Sequence, residues 1–109
     1  MELTLLTVPG CPGAVMFQER LAAALADRPG AVLHHREVAD EPEAVQAGMH
    51  GSPTLLIDGV DPLAGPQARP SLSCRLYRDP AERTSAAPSV QALRRALAEA
   101  GGDLAKPGA

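Results

Sequence analysis

Two proline-containing segments constrain the fold of this chain more than any other feature of its sequence. Segment 8–14 (VPGCPGA) places Cys11 where an apolar strand is predicted to end and a helix to begin. Segment 51–59 (GSPTLLIDG) places Pro53 directly ahead of a short apolar strand, which an Asp-Gly turn then closes. Together they favour an α/β domain in which a thiol and a proline lie in loops at the ends of strands.

Three helices are predicted, over residues 12–28, 40–47 and 89–100, the last of them after a serine N-cap. The first has apolar residues at four-residue spacing, Phe17, Leu21 and Leu25, which is typical of a single buried face. Asp40 and Glu43 form a capping-box-like start of the second helix. These local signals predict where each helix begins.

Four strands are predicted, over residues 3–8, 31–38, 54–57 and 71–77, with loops over 60–70 and 79–88. The resulting order is β-α-β-α-β-β-α. A right-handed crossover makes the first two strands parallel, and the third is expected to run antiparallel beside the first. We therefore predict one α/β domain over residues 1–100, with a four-stranded mixed sheet, helices on both faces and a flexible tail over 101–109.

The composition excludes several classes of function. The net charge is −3 and the ten Lys and Arg residues are scattered, so no nucleic-acid-binding face is predicted. No apolar run approaches the roughly 20 residues of a membrane span. No metal-ligand spacing of His and Cys and no phosphate-binding loop is present, so neither a metal nor a cofactor is predicted. The chain enters its first strand without a signal peptide, which predicts a cytoplasmic protein whose two cysteines are reduced.

Segments 8–14 and 51–59 resemble the two active-site loops of the thioredoxin-like superfamily. In that superfamily a nucleophilic cysteine follows the first strand and a cis-proline precedes the third. The resemblance therefore implies that Cys11 is the nucleophile and Pro53 the cis-proline. Ala14 departs from the pattern, because it stands where the second cysteine of Cys-x-x-Cys would be.

Two later segments narrow the resemblance. Segments 58–63 (DGVDPL) and 70–77 (PSLSCRLY) are similar to a bacterial group of small thioredoxin-like proteins. That group includes selenoprotein relatives and members described as alkylmercury-lyase-like. The similarity covers the chain to about residue 97 and implies the thioredoxin-like fold rather than one particular reaction.

Both cysteines leave alternatives open. Cys11 at a helix N-terminus is favoured as a thiolate nucleophile, since unpaired N–H groups and partial positive charge collect there; the alternative is a buried structural thiol. Cys74 is either a redox partner of Cys11 or a packed core thiol. In a fourth strand it would lie two strand spacings of ~4.8 Å from the first strand, beyond the ~7 Å between Cα atoms that a disulfide tolerates. A bridge would then require loop movement.

Four polar residues near these segments are weighed as well. His50 could be a base or an ion-pair partner, but a surface-loop histidine is favoured. Arg75 could influence a thiol, but a solvated surface arginine is favoured. Asp58 and Asp61 are the acids nearest in sequence to the proline segment, and the turn is expected to put both at the far end of the sheet.

Three functions follow from these patterns. The first is a thiol-dependent oxidoreductase with Cys11 as nucleophile, a thiol or disulfide substrate and a low-molecular-weight thiol as reductant. The second is an organomercury or soft-metal thiolate enzyme or carrier. The third is a non-enzymatic binding module that keeps the fold, which Ala14 favours because the short redox pair is incomplete.

Overall fold

The chain alternates strands and helices through its first half and ends on a helix. The computed structural model describes residues 1–65, 68–78 and 84–101. Its elements are β1 (Glu2–Thr7), α1 (Gly13–Ala24), β2 (Val32–Glu37), α2 (Glu41–Ala47), β3 (His50–Ser52), β4 (Thr54–Ile57), β5 (Ser71–Cys74), β6 (Tyr77–Arg78), β7 (Thr84–Ser85) and α3 (Val90–Gly101). The three predicted helices are all present. Apart from Gly101, the predicted tail lies outside the described residues.

A three-stranded mixed sheet forms the centre of the fold, in the order β2-β1-β4. Strand β1 pairs in parallel with β2 and antiparallel with β4. Leu5 illustrates the arrangement, since it lies between His35 of β2 and Leu55 of β4. The predicted orientations of the first two strands and of the strand over 54–57 are therefore confirmed.

The predicted fourth strand of this sheet is wrong. Segment 71–77 divides into β5, which pairs in parallel with β3, and β6, which pairs antiparallel with β7. The division falls where the Arg75 N–H donates to the Ser52 carbonyl at 3.0 Å, which turns the chain toward the Ser52–Pro53 loop instead of along β4. Ile57, at the end of β4, exchanges hydrogen bonds with Val60 of its own turn. Among the described residues, the central sheet thus has three strands, and β7 lies in a segment predicted as loop.

Helices cover both faces of the sheet, as predicted. Successive side chains of a strand point to opposite faces, so Leu5 and Leu6 of β1 enter different cores. The first core lies under α1 and α3 and contains Leu3, Leu5, Phe17, Leu21, Ala24, Leu55, Ile57, Tyr77, Ala87, Leu93, Ala96 and Leu97. The second lies under α2 and contains Leu6, Val38, Ala44, Met49 and Leu56. Burying one such leucine stabilises the fold by about 2 kcal/mol.

The helices begin in two different ways. The Asp40 carboxylate accepts from the Glu43 N–H at 2.9 Å and so caps α2, and the Ser89 hydroxyl accepts from the Ala92 N–H at 3.1 Å at the start of α3. Pro12 precedes α1 and supplies no capping side chain. The N-terminus of α1, which follows Cys11 in the chain, therefore has no side-chain cap. No described helix is long and apolar enough to cross a membrane.

Candidate functional site

Cys11 lies in the turn between β1 and α1. Its N–H donates to the Val8 carbonyl at 3.1 Å, and its own carbonyl accepts from the Ala14 N–H at 3.2 Å. Gly10 has a φ of 75°, a left-handed conformation that glycine adopts without steric cost. This turn leaves Cys11 partly exposed and free, directly before a helix N-terminus without a capping side chain. A thiolate at this position would be stabilised by the helix dipole.

Pro53 lies against the same turn, and the Ser52–Pro53 peptide bond is cis, as predicted. The Val8 N–H donates to the buried Ser52 hydroxyl at 3.0 Å, which joins the cysteine turn to the proline loop. Gly13, the first residue of α1, faces the loop as well. A Cβ added to it would lie 3.3 Å from Pro53 Cδ and 2.7 Å from the Ala86 carbonyl oxygen. The absence of a side chain at Gly13 therefore allows α1 to approach Pro53 closely.

Cys74 lies on the other side of this loop. In the parallel pairing of β3 with β5, Cys74 is the register partner of Ser52. Paired strands are about 4.8 Å apart, so the main chain of Cys74 lies next to that of Ser52 in the proline loop. The thiol is exposed and free, and the alternative of a packed core thiol is therefore wrong. The separation expected of a fourth strand does not apply, because β5 pairs outside the central sheet.

A buried ionic cluster lies beside the proline loop, and we call it the Asp61 cluster. It consists of His50, Thr54, Asp61 and Arg75. The Asp61 side chain is only 2% exposed, and its Oδ2 accepts from Arg75 Nη1 at 2.6 Å and from His50 Nδ1 at 2.8 Å. Because a carboxylate can only accept, His50 Nδ1 is the donor in this contact. The main-chain N–H of Leu63 donates to the other carboxylate oxygen at 2.9 Å.

These contacts correct three expectations. His50 and Arg75 are not solvated surface residues, since their side chains are 23% and 13% exposed and both contact Asp61. Asp61 does not lie at the far end of the sheet, because Arg75 joins it to Thr54 at the start of β4. Asp58 does lie at the far end, where its N–H donates to the Glu2 carbonyl at 2.8 Å.

Tyr77 connects the Asp61 cluster to the proline loop and to α1. Its hydroxyl donates to the Pro53 carbonyl, its ring meets Phe17 edge-on at 5.8 Å, and the Arg75 guanidinium lies 4.6 Å from the ring centroid. Burial raises the pKa of Tyr77 well above its usual value. Arg75 opposes this increase, while the negative charges of Asp61 and of a Cys11 thiolate add to it. The buried phenol is thus kept protonated as a donor to the proline loop.

Sequence reasoning assigned Cys11, Pro53 and Cys74 to the site but gave no role to Asp61 or Tyr77. A signal for both was present. Asp61 lies in segment 58–63 and Tyr77 in segment 70–77, the two segments that already carried the narrower resemblance. A buried position for a polar residue requires a hydrogen-bond partner, and Arg75 and Pro53 are the partners found here.

No family model, curated protein or solved structure matches the chain. The site is therefore interpreted from its own geometry. That geometry combines a partly exposed thiol at a helix N-terminus, a cis-proline in contact with the same turn and a second exposed thiol whose strand neighbour is Ser52.

Proposed function

We propose that this protein is a thiol-dependent oxidoreductase of thioredoxin-like type in which Cys11 is the nucleophile. The observation that carries the proposal is the joining of three parts at one loop. Cys11 precedes the uncapped N-terminus of α1, the Val8 N–H binds its turn to Ser52, and Cys74 is the register partner of Ser52. Two thiol-bearing segments that are both joined to one loop favour redox chemistry over a binding module without it.

The thioredoxin-like assignment is supported by two features of the sheet. The strand preceding the thiol, β1, is flanked by β2 in parallel and by β4 antiparallel. The proline that precedes β4 is cis and contacts the first turn of α1. Both features are those that the resemblance implies for the nucleophile loop and the cis-proline loop.

The first chemical step is attack of the Cys11 thiolate on one sulfur of a substrate disulfide. A bond forms between Cys11 Sγ and that sulfur while the substrate S–S bond breaks, and the second sulfur leaves as a thiolate that takes a proton from water. The partial positive charge at the N-terminus of α1 favours the attacking anion. The product is a mixed disulfide on Cys11.

The second step releases the other half of the substrate. The Cys74 thiolate attacks Cys11 Sγ, a Cys11–Cys74 disulfide forms, and the remaining substrate sulfur leaves as a thiolate. The substrate has then gained two electrons and the protein has lost two. Two equivalents of a low-molecular-weight thiol return the protein to its dithiol form and are themselves oxidised to a disulfide, and the same thiol can resolve the mixed disulfide directly. The reducing cytoplasm is the compartment in which we place this cycle.

Turnover of bis(2-hydroxyethyl) disulfide, with dithiothreitol as reductant, tests the proposal in the wild type and in Cys11→Ser and Cys74→Ser. We expect Cys11→Ser to fall to the rate of the uncatalysed thiol exchange. Cys74→Ser should keep part of the activity, because the external thiol can still resolve the mixed disulfide. The two variants are matched controls for each other, since each replaces one thiol by a hydroxyl and leaves the other thiol in place.

Loss of activity in Cys74→Ser alone would reverse the roles of the two cysteines. A wild type no faster than the uncatalysed exchange, with this disulfide and with insulin as an alternative substrate, would favour the binding module.

A further inference from the structure

A cavity of about 370 Å³ opens beside the Asp61 cluster. Its wall includes the cationic or titratable side chains of Arg69, Arg75 and His50 and the apolar side chains of Leu63 and Leu76. The described residues that line it include neither of the cysteines nor Pro53. It is therefore a candidate binding site separate from the two cysteines, and the redox proposal does not use it.

The described lining of the cavity carries positive charge and no acid of its own. No Asp or Glu is among the described residues that line the cavity. Asp61 lies behind the wall at 2% exposure, and its two oxygens are already occupied by Arg75, His50 and the Leu63 N–H. Asp61 offsets the charge of one arginine, and the exposed Arg69 supplies a second positive charge at the cavity mouth.

Arg75 and His50 are held in place with donors or acceptors to spare. Within the described part of the chain, the side-chain hydrogen bonds of Arg75 involve only Nη1, so its remaining N–H groups have no partner there. His50 uses Nδ1 to reach Asp61, and its Nε2 lies on the opposite edge of the ring without a partner in the same ranges. Groups fixed in this way lose little conformational freedom when a ligand binds.

We propose that this cavity binds a small organic anion, with a carboxylate against Arg69 and Arg75 and an apolar body against Leu63 and Leu76. The planar guanidinium matches the two oxygens of a carboxylate, and the bond is strengthened because both partners are charged. The apolar side chains provide the remaining surface, as in most small-molecule sites. This site is additional to the redox function and does not depend on it.

Tyr77 gives a direct optical readout of the cavity. It lines the cavity, and it is the only tyrosine in a chain that contains no tryptophan. Cyclohexanecarboxylate has the proposed chemistry and does not absorb where tyrosine does, and cyclohexanecarboxamide is its uncharged isostere. Both are titrated into the full chain, with Tyr77 fluorescence and calorimetry as independent readouts.

We expect the carboxylate to bind about tenfold more tightly than the carboxamide, the difference of one good charge-assisted contact. Arg69→Gln should weaken carboxylate binding about threefold without lowering Tm, since Arg69 is exposed and the lost contact is partly screened. Arg94→Gln is the matched control, because it removes the same charge from an exposed position on α3 whose guanidinium lies near the Ala23 carbonyl. It should leave the affinity unchanged, and so should Cys11→Ser.

Equal affinities for the carboxylate and the carboxamide would overturn the proposal, as would equal losses in Arg69→Gln and Arg94→Gln. Absence of cyclohexanecarboxylate binding in both readouts would overturn it too. Since binding is measured without turnover, and Cys11→Ser is expected to bind normally, these outcomes are separate from failure of the redox proposal.

Discussion

Cys74 lies opposite Ser52 in the pairing of β5 with β3, and the peptide bond that joins Ser52 to Pro53 is cis. Ser52 is also the acceptor for the Val8 N–H in the turn that carries Cys11. A single buried serine thus joins the two thiol-bearing segments. Neither thiol lies within the central sheet, since Cys11 precedes α1 and Cys74 is the last residue of β5.

We predict that oxidation of the wild type by a stoichiometric disulfide yields an intramolecular Cys11–Cys74 disulfide. In Cys74→Ser, the same oxidation should stop at a mixed disulfide on Cys11, because no second protein thiol is present. Intact-mass and peptide mass spectrometry distinguish a loss of two hydrogens from the addition of half the oxidant. A wild type that also accumulates only the mixed disulfide would mean that an external thiol alone resolves Cys11.

We expect Gly13→Ala to destabilise the protein by about 1–2 kcal/mol, although alanine is the better helix former. The new Cβ would lie 2.7 Å from the Ala86 carbonyl oxygen and 2.9 Å from Ala86 Cβ, so main-chain atoms would have to shift. Gly30→Ala is the control, since no atom lies within 4 Å of its added Cβ, and it should change stability by less than about 0.5 kcal/mol. Urea unfolding measures both, and equal effects would argue against close packing of α1 on Ala86.

Much of the fold was predictable because its signals are local. The apolar run over 3–8 predicts β1, and the carboxylate of Asp40 and the hydroxyl of Ser89 mark helix starts within a few residues of the helices they cap. The division of segment 71–77 was not predictable in this way. It accompanies the contact of Arg75 with Asp61, fourteen residues away, and the hydrogen bond of Arg75 to Ser52.

The candidate site likewise contains residues that local sequence signals reveal and one residue whose position they do not. Cys11 and Pro53 are each defined by a turn or strand start in their own segment, so sequence reasoning found both. The position of Cys74 beside Ser52 depends on the pairing of two short strands outside the central sheet. No periodicity within a four-residue strand specifies its partner, which is why this neighbour was missed.

The pH dependence of stability should report the Glu43 contacts at the start of α2. The Ala39 N–H and then Arg36 hold the pKa of the Glu43 carboxyl below its usual value. A lowered folded-state pKa means that this contribution is present above the unfolded-state pKa and is lost as the pH falls through the folded-state value. Glu43→Gln should therefore lower Tm at pH 7, and this loss should shrink as the pH falls through the folded-state value.

Glu41→Gln is the control for that measurement, because Glu41 stands in the same first turn of α2 but is exposed. Its effect on Tm at pH 7 should be the smaller of the two. A Glu43→Gln effect that persists undiminished at low pH would show that the contacts act through the side chain's shape and not its charge.

Tyr77 should remain protonated in the folded protein at a pH where an ordinary tyrosine ionises, near 10. Burial raises the pKa of its hydroxyl, so its contribution to stability is present below the unfolded-state pKa and is lost as the pH rises above it. Absorbance of tyrosinate is a direct measure, since this is the only tyrosine. The transition should move down to about pH 10 when urea unfolds the chain; a native transition already at that value would show that the hydroxyl is solvated.

Tyr77→Phe tests the hydrogen bond itself. It removes the donor to the Pro53 carbonyl and keeps the contact with Phe17, so the expected loss is about 1–2 kcal/mol at neutral pH. The difference between the variant and the wild type should shrink above about pH 10, because the unfolded wild type then gains from ionising Tyr77. A constant difference between pH 8 and 11 in urea unfolding would contradict the raised pKa.

Asp61→Asn should be the most destabilising of these substitutions, by about 3 kcal/mol. The carboxylate is 2% exposed and neutralises Arg75, whose own side chain is 13% exposed, so the amide would leave a largely buried guanidinium without its counter-charge. The amide nitrogen would also face donors on Arg75 and His50 if it took the place of Oδ2. The midpoint of urea unfolding at pH 7 measures the loss.

Asp58→Asn is the matched control for Asp61→Asn, since it makes the same change three residues away at an exposed site. Asp58 has a φ of 49°, a conformation that asparagine tolerates, and an asparagine oxygen can still accept from the Glu2 N–H. Its effect should stay below about 0.5 kcal/mol. Similar losses in the two variants would mean that Asp61 contributes no more than a surface acid, and the Asp61 cluster would then not be what holds Arg75 beside Tyr77.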